Sequence, residues 1–178
     1  DNEKGKELLA TWRQMQEELL AKFDFSVEEI KDLLDKTIEL DAKLAKYVLS
    51  REESSEYVKL YHPYDWADFT KLAPELPLDS IFTQILGEIP DKVIVPEERF
   101  WKEFAAEYYA EKNWELLKAD LIVSAATSYN SYLTDEIRVL SGTYSRALSG
   151  TPQAMDKKKA AYYLASGAYS QALGLWYA

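Results

Sequence analysis

Catalysis and metal binding in proteins most often use histidine, cysteine and carboxylate side chains. His62 is the only histidine, and cysteine is absent. A zinc protease site needs two helix-borne histidines and a general-base glutamate, and a histidine triad needs a correctly oriented base. His62 stands before Pro63 in "LYHPYDW", so we expect it to be structural or exposed. The sequence therefore predicts no catalytic residue, no metal site and no cofactor site in this chain.

Two further motifs do not support catalysis. The stretch "SGTYSRALSG" lacks the strand, the lysine and the spacing that a phosphate-binding loop requires. Acidic pairs, such as Glu28 with Glu29 and Glu97 with Glu98, fall in predicted first helical turns or polar loops, where negative charge favours the helix dipole. Helix capping explains these pairs more simply than acid–base chemistry.

The composition is that of an ordinary globular domain. Of the 178 residues, 47% are hydrophobic and 29% are charged, and a chain of this length buries roughly two-thirds of its unfolded surface. The net charge is -10 and the basic residues are dispersed, so the basic footprint of a nucleic-acid-binding protein is missing. The sequence has no apolar run of about 18 residues and does not open with a signal segment, so we expect no membrane segment.

The first third of the chain has apolar residues at helical spacing. A first amphipathic helix is predicted from about Leu8 to Phe23, where "FDFS" interrupts the pattern. Ser26 and Glu29 have the spacing of a capping box at the start of a second, long helix. Asp41 falls on the apolar stripe of that helix, and we expect it to have a structural partner, most simply an arginine of another helix.

The middle third is rich in proline, which predicts short helices and extended pieces. Asp65 and Asp79 are predicted N-caps of two short helices, and Gly87 is predicted to end the second of them. The stretch "KVIVP" is the one convincing short extended segment. The predicted fold class is therefore all-α, a multi-helix domain with short helices and one short extended segment in this middle third. Five of the six prolines lie here: Pro63, Pro74, Pro77, Pro90 and Pro96.

Aromatic side chains are abundant, with thirteen tyrosines and five tryptophans. Most of them fall on helix stripes and are predicted core residues. The exceptions are Tyr57, Tyr61, Tyr64 and Trp66, which cluster in the proline-rich third. These four residues form a candidate surface for contact with a ligand or with another domain.

The last third returns to the helical period. Asn113 and Thr134 are predicted N-caps, and Gly150 is predicted to end the helix that Thr134 begins. A closing helix is then predicted from Pro152 to Ala178 as one uninterrupted element.

The second half of the predicted closing helix is apolar on most sides, which is typical of a helix inside a protein. Gly167 and Gly174 lie seven residues apart on one face, and each glycine costs about 0.5–1 kcal/mol relative to alanine in a helix interior. This cost indicates a tight neighbour. We therefore predict an interdomain contact through Gly167, Gly174, Leu175 and Trp176.

The order of these segments resembles the helical N-terminal region of neprilysin-like zinc metallopeptidases, especially the bacterial oligopeptidase O group. The resemblance rests on "KVIVPEERFWKEF", a following helix pair, and "ALSGTPQAMDKKKAAYYLASGAYSQALGLWYA". It extends back through "DKTIELDAKLAKYVLSREESSEYVKLYHPYDW" and so covers nearly the whole chain.

The resemblance implies that residues 1–178 form a single helical lid domain, a fragment of a longer two-lobed peptidase. In such enzymes a helical lobe covers a zinc lobe and encloses a chamber that admits oligopeptides, so the implied partners are the catalytic zinc lobe and oligopeptide substrates. The closing helix lacks a stop signal, as expected of a helix that continues in a longer protein. The family's HExxH helix, its downstream acidic ligand and its Asn-Ala segment are missing here, so zinc belongs to the parent enzyme and no catalytic residue carries over.

The sequence departs from the animal members of that family. Those members carry cysteines and a Trp-Arg-Arg-Cys run near the closing helix, where this chain has Lys157, Lys158, Lys159 and Ala160. The departure points to a bacterial, cytoplasmic member and leaves a secreted or cell-surface location open. The alternative function is a free-standing helical module that binds or scaffolds another protein through its aromatic surfaces.

Overall fold

The structure is a computed structural model that describes residues 3–177, without the side chain of Tyr177. Ala178, the predicted end of the closing helix, lies outside the described residues. Within that range the chain forms twelve α-helices and one two-stranded sheet, which confirms the predicted all-α class. The helices are α1 (Glu3–Leu20), α2 (Val27–Leu44), α3 (Arg51–Ser55), α4 (Trp66–Phe69), α5 (Leu78–Leu86), α6 (Glu98–Glu103), α7 (Ala105–Tyr108), α8 (Trp114–Ser128), α9 (Asp135–Ser141), α10 (Thr143–Ser149), α11 (Lys157–Ala168) and α12 (Ser170–Tyr177). The strands are β1 (Pro63–Asp65) and β2 (Lys92–Ile94).

The chain divides into two compact units. The first unit consists of residues 1–34 and 121–178, and the second consists of residues 35–120. The two units are defined by packing contacts within the chain and do not test the domain prediction. That residues 1–178 form a single lid domain therefore remains a prediction.

In the first unit, α1 packs against α9 and α10. The Sδ atom of Met15 accepts a hydrogen bond of 3.4 Å from the backbone N–H of Tyr144, which fixes α1 to α10. Burial of a large apolar side chain contributes about 1.5–3 kcal/mol, and a cluster of such side chains forms a core in this unit. That core consists of Leu20, Ile30, Leu34 and Val123, with Trp12, Phe25, Leu33 and Ala126 packed around it.

The connection between α1 and α2 follows the sequence signals. Asp24 adopts a left-handed conformation with φ 62°, which ends the first helical segment. The backbone N–H of Ser26 donates to Oε2 of Glu29 over 2.8 Å, and the backbone N–H of Glu29 donates to Oγ of Ser26 over 3.3 Å. The predicted capping box is therefore confirmed. Its hydrogen bonds from Ser26 lower the pKa of the Glu29 carboxyl.

In the second unit, β1 and β2 form an antiparallel pair in which Tyr64 lies opposite Val93. The backbone N–H of Val95 donates to the carbonyl oxygen of His62 over 3.0 Å and extends the pairing by one residue. β2 covers the first three residues of the predicted extended stretch "KVIVP". Its partner β1 was not predicted, because three residues are too few for an alternating pattern.

Aromatic residues dominate the core of the second unit. Tyr47 and Phe104 stack with ring centroids 4.4 Å apart, and Phe69 meets Trp101 edge to face at 4.9 Å. Such ring pairs add about 0.5–1.5 kcal/mol beyond the area that they bury. Two clusters of buried residues make up this core: Ala73, Phe100, Phe104 and Ala105 in one, and Phe69, Leu78 and Val95 in the other.

The guanidinium of Arg99 ties α6 to the segment that follows α2. Its Nε donates to the carbonyl oxygen of Tyr47 over 3.2 Å, and its Nη2 donates to the carbonyl oxygen of Val48 over 2.6 Å. Nη1 lies 3.3 Å from Oε1 of Glu53. These bonds satisfy carbonyl groups that would otherwise lack partners after a helix end.

The position of Asp41 differs from the prediction. Its side chain is exposed, whereas Leu40 on the same helix is 2% exposed and faces the core. The expectation that Asp41 lies on the buried stripe is therefore wrong. The two residues are adjacent, and a step of one residue turns about 100° around a helix, which is enough to point Asp41 toward solvent.

The closing helix also differs from the prediction. It begins at Lys157 rather than at Pro152, because the Asp156 side chain accepts hydrogen bonds from the N–H groups of Lys158 and Lys159 at 3.0 and 3.2 Å. It is also divided into α11 and α12 at Tyr169, whose φ of -123° and ψ of 34° are not helical.

Other predicted boundaries have mixed outcomes. Gly87 ends α5 with φ 83°, and Thr134 caps α9 by accepting a hydrogen bond from the N–H of Ile137 over 3.3 Å, as predicted. Gly150 follows the last residue of α10 with φ 68°, although the helix that Thr134 begins is already divided at Gly142. Asp65 occupies the N-cap position of α4 without a capping hydrogen bond from its side chain.

The predicted cap at Asp79 is wrong, whereas Asn113 directly precedes α8 as predicted. Pro77, rather than Asp79, occupies the N-cap position of α5. The Asp79 carboxylate instead accepts a hydrogen bond from Nε1 of Trp66 over 2.7 Å. Asn113 belongs to a short 3-10 turn before α8 and donates from its side chain to the carbonyl oxygen of Glu107 over 2.7 Å.

Candidate functional site

His62 sits where β1 begins, and its ring faces acceptors on both sides. Nδ1 lies 3.2 Å from the carbonyl oxygen of Val95, and Nε2 lies 3.7 Å from Oε2 of Glu98. Because a carbonyl oxygen can only accept, a hydrogen on Nδ1 donates to Val95. The half-buried ring therefore links the residue before β1 to the residue after β2, with Glu98 of α6 beside it, which is the structural role expected of this histidine.

Glu98 lies at the centre of the polar contacts around this ring. The Tyr64 hydroxyl donates to Oε1 of Glu98 over 2.7 Å, and Nζ of Lys102 lies 2.8 Å from the same oxygen. Hydrogen bonds from Lys102 and Tyr64 hold the pKa of the Glu98 carboxyl below its usual range. Burial, together with the bond to Glu98, raises the pKa of the Tyr64 hydroxyl. The glutamate is thus held as a carboxylate and is a poor proton donor.

The four aromatic residues of the candidate ligand or domain surface are divided by the structure. Tyr64 and Trp66 are half-buried and pack on the core cluster of Phe69, Leu78 and Val95. Tyr57 and Tyr61 are 81% and 64% exposed. Contact of these four residues with a ligand or another domain stays a prediction, and the exposed pair is the part that is accessible to a partner.

The residues of the predicted interdomain contact lie on α11 and α12. Leu175 and Trp176 are 84% and 81% exposed. A Cβ atom added at Gly167 or Gly174 would meet no heavy atom within 4 Å among the described residues. The tight neighbour predicted for these glycines is thus not found between residues 3 and 177, and contact with another domain remains a prediction.

A further exposed apolar surface was not singled out from the sequence. It lies on α5, where Ile81, Ile85 and Leu86 are exposed, Ile85 to 73%. The sequence signal is the spacing of four residues between the two isoleucines, but the same spacing is typical of a core-facing stripe. Contiguous exposed apolar patches larger than about 300–600 Å² mark interaction sites, and these three side chains are a candidate for part of such a patch.

The described side chains do not form a metal site. Between residues 3 and 177, no group of three or more His, Cys, Asp or Glu residues is placed to hold a metal ion.

No helix in the described part of the chain combines the length and the apolar character needed to cross a bilayer.

Comparison with known proteins gives the family. A family model described as "Peptidase family M13" matches residues 1–178. A Streptococcus gordonii protein named as a candidate zinc metalloproteinase is 65% identical over 178 residues, which are 100% of this chain and 31% of that protein. Neutral endopeptidase of Lactococcus lactis subsp. cremoris is 33% identical over 177 residues, which are 99% of this chain and 28% of that protein. The chain therefore spans about a third of the length of these relatives.

The fold comparison agrees with the sequence comparison. The crystal structure of PEPO from Lactobacillus rhamnosis HN001 matches with a TM-score of 0.84 and 25% identity, covering 94% of this chain and 26% of that one. These findings confirm the resemblance to neprilysin-like metallopeptidases of bacteria. The chain belongs to peptidase family M13, of which it is an N-terminal helical domain.

Proposed function

We propose that this chain is the non-catalytic helical lid portion of a bacterial neprilysin-like zinc metalloendopeptidase. In this proposal the lid encloses the substrate chamber and restricts it to oligopeptides. The observation that carries the proposal is the exposed apolar surface of α11 and α12, with Leu175 and Trp176 at its end. Exposed apolar surface of this kind favours a covering partner, and the relatives are about three times as long as this chain.

The catalytic zinc lobe of the same longer protein is the proposed partner that buries the exposed surface of α11 and α12. Gly167 on α11 and Gly174 on α12 lack side chains, and both positions have open space beside them among the described residues. A backbone segment of the zinc lobe can approach closely at such positions. The glycines, with Leu175 and Trp176, are therefore the proposed interdomain contact.

The zinc ion and the general base belong to the other lobe in this proposal. The described residues of this chain bring no suitable ligands together, so they do not fit a zinc site and no chemical step is assigned to them. The work of this chain is to exclude folded proteins by closing one side of the chamber. Tyr57 and Tyr61, which are exposed in the second unit, are proposed to contact an oligopeptide or the other lobe.

A cytoplasmic location in a bacterium is part of the same proposal. The absence of cysteine, which fits a reducing compartment, supports it. Fractionation of the source cells, with an antibody against this chain, tests the location. Recovery from the medium or the cell surface would contradict it.

The experiment for the proposed function compares this 178-residue chain with the longer protein encoded by the source gene. Both are assayed with an internally quenched oligopeptide, with and without a chelator. We expect cleavage by the longer protein, its loss on chelation and its return on addition of zinc. We expect no cleavage by the 178-residue chain under any of these conditions.

Two results would overturn the proposal. The first is chelator-resistant cleavage by the 178-residue chain. The second is a gene product without an HExxH helix and without peptidase activity, which would favour the free-standing binding or scaffolding module instead.

A further inference from the structure

A groove lies within the first unit, between the start of α9, the segment before α11 and α11 itself. Its volume is ≈ 780 Å³, within the range of about 300–1,000 Å³ that is typical of ligand sites. Most of its wall is apolar. The apolar lining consists of Leu133, Met155, Ala160, Ala161, Tyr163 and Leu164.

Arg138 supplies a fixed cationic group on one wall of the groove. Its Nε and Nη2 atoms each lie 2.8 Å from Oδ1 of Asp135, and Nη2 also donates to the carbonyl oxygen of Met155 over 3.0 Å. These contacts join α9 to the segment before α11 and hold the guanidinium in place. Nη1 has no hydrogen-bond partner among the residues that the structure describes, so it can donate to a ligand.

The charge of the groove is positive. Asp135 neutralises Arg138, and Lys157 adds a second cation, for which the described residues offer no acidic partner. The chain as a whole carries a net charge of -10. A positive, apolar groove in an acidic chain fits a segment that combines an apolar side chain with a carboxylate.

We propose that the groove between α9 and α11 binds an extended segment of the longer protein, which places an apolar side chain beside an aspartate or glutamate. This inference rests on the proposed function, because the segment comes from the part of the longer protein outside residues 1–178. The net negative charge of the chain repels a free acidic peptide. A covalently tethered segment overcomes that repulsion when its linker is short and flexible, because such a linker gives an effective concentration of the order of millimolar.

The test uses two neighbouring lysines as a matched pair. Lys157 lines the groove, whereas Lys158 does not, and both are exposed in the first turn of α11. Both proteins, the 178-residue chain and the longer protein, are treated briefly with an amine-acylating reagent, and the extent of labelling is read by mass spectrometry. We expect the two lysines to react at similar rates in the 178-residue chain, and Lys157 to react several-fold more slowly than Lys158 in the longer protein.

Charge reversal provides a second readout. We expect Lys157→Glu to lower the thermal unfolding midpoint of the longer protein by several degrees more than Lys158→Glu does. In the 178-residue chain the two substitutions change the midpoint equally, because both alter the same helix end. Equal labelling of the two lysines together with equal effects of the two substitutions in the longer protein would overturn the inference.

The source of the segment is tested with an acetylated Leu-Glu-Leu peptide added to the longer protein. We expect this peptide to leave the labelling of Lys157 unchanged, because the groove is already filled. Additional protection of Lys157 by the peptide would show an open groove and overturn the inference. The labelling result and the peptidase assay test different claims. If Lys157 is selectively protected but the longer protein has no peptidase activity, the proposed function is wrong and the groove inference stands.

Discussion

The Tyr64 hydroxyl donates a hydrogen bond of 2.7 Å to Oε1 of Glu98, and this bond joins the small sheet to α6. The bond lies beside the ring of His62, the only histidine of the chain. Because the acceptor is a carboxylate, the bond belongs to the stronger class of hydrogen bonds. It is a structural use of residue types that elsewhere perform acid–base chemistry.

Removal of the Tyr64 hydroxyl tests the contribution of this bond. We expect Tyr64→Phe to lower the free energy of unfolding by about 1–2 kcal/mol, because a hydrogen bond to a charged group is lost. The measurement is urea unfolding followed by circular dichroism. Tyr57→Phe is the matched control, since Tyr57 is exposed, and equal effects of the two substitutions would contradict the assignment.

Arg99 provides a second test of the second unit. Lysine cannot reproduce the planar fork that reaches the carbonyl oxygens of Tyr47 and Val48. We expect Arg99→Lys to cost about 1–3 kcal/mol of unfolding free energy, because carbonyl partners are lost. Arg51→Lys, at an exposed position, is the control and is expected to change stability little. A neutral effect of Arg99→Lys in the same urea titration would show that these bonds add no stability.

Glu98 gives a pH dependence with a defined sign. Its pKa is lowered in the folded state, first by the hydrogen bond from Lys102 and then by that from Tyr64. The stabilisation is therefore complete above the ordinary glutamate pKa of about 4.3 and is lost as the pH falls through the lower, folded pKa. We expect Glu98→Gln to weaken this acid-dependent loss in urea titrations between pH 7 and pH 3. An unchanged pH profile would contradict the assignment.

Asp120 is expected to change the pH dependence of stability in the direction opposite to Glu98. Burial, and then the charge of Asp41, raise the pKa of the Asp120 carboxyl. Its charged form is therefore unfavourable in the folded state, and this penalty disappears as the pH falls below the raised pKa. We expect Asp120→Asn to stabilise the protein at pH 7 and to lose that advantage in acid. Asp91→Asn, at an exposed position, is the control, and destabilisation by Asp120→Asn at pH 7 would contradict the prediction.

Gly167 distinguishes an open helix face from a covered one. We expect Gly167→Ala to raise the unfolding free energy of the 178-residue chain by about 0.5–1 kcal/mol, since alanine is the better helix former and the added Cβ meets open space. In the longer protein we expect the same substitution to destabilise, because the zinc lobe approaches there. Gly5→Ala, on α1 with similar open space, is the control and is expected to act alike in both proteins. Stabilisation by Gly167→Ala in both would leave this contact unsupported.

Local signals predicted much of the fold. The capping box of Ser26 and Glu29, the cap at Thr134 and the helix end at Gly87 depend on neighbouring residues alone, and the structure contains all three. Asp41 could not be placed in this way. Its exposure depends on which residues of α2 pack against other helices, and a broad apolar stripe does not define that edge.

The candidate sites were less predictable, because they depend on contacts between distant segments. Tyr57 and Trp66 lie nine positions apart in one aromatic cluster, yet Tyr57 is exposed and Trp66 packs on the core. The groove beside Arg138 is formed by residues of both α9 and α11. The hydrophobic periodicity of a sequence does not show which helices lie next to each other. The break between α11 and α12 at Tyr169 was likewise not predictable, because no proline marks it in the sequence.

The most direct measurement of the lid function is the size limit for substrates of the longer protein. One scissile sequence is presented as a short oligopeptide and, separately, in an exposed loop of a folded carrier protein, and cleavage rates are compared with and without a chelator. We expect chelator-sensitive cleavage of the oligopeptide and little or none of the carrier. Equal cleavage of both substrates would contradict a lid that restricts the chamber to oligopeptides.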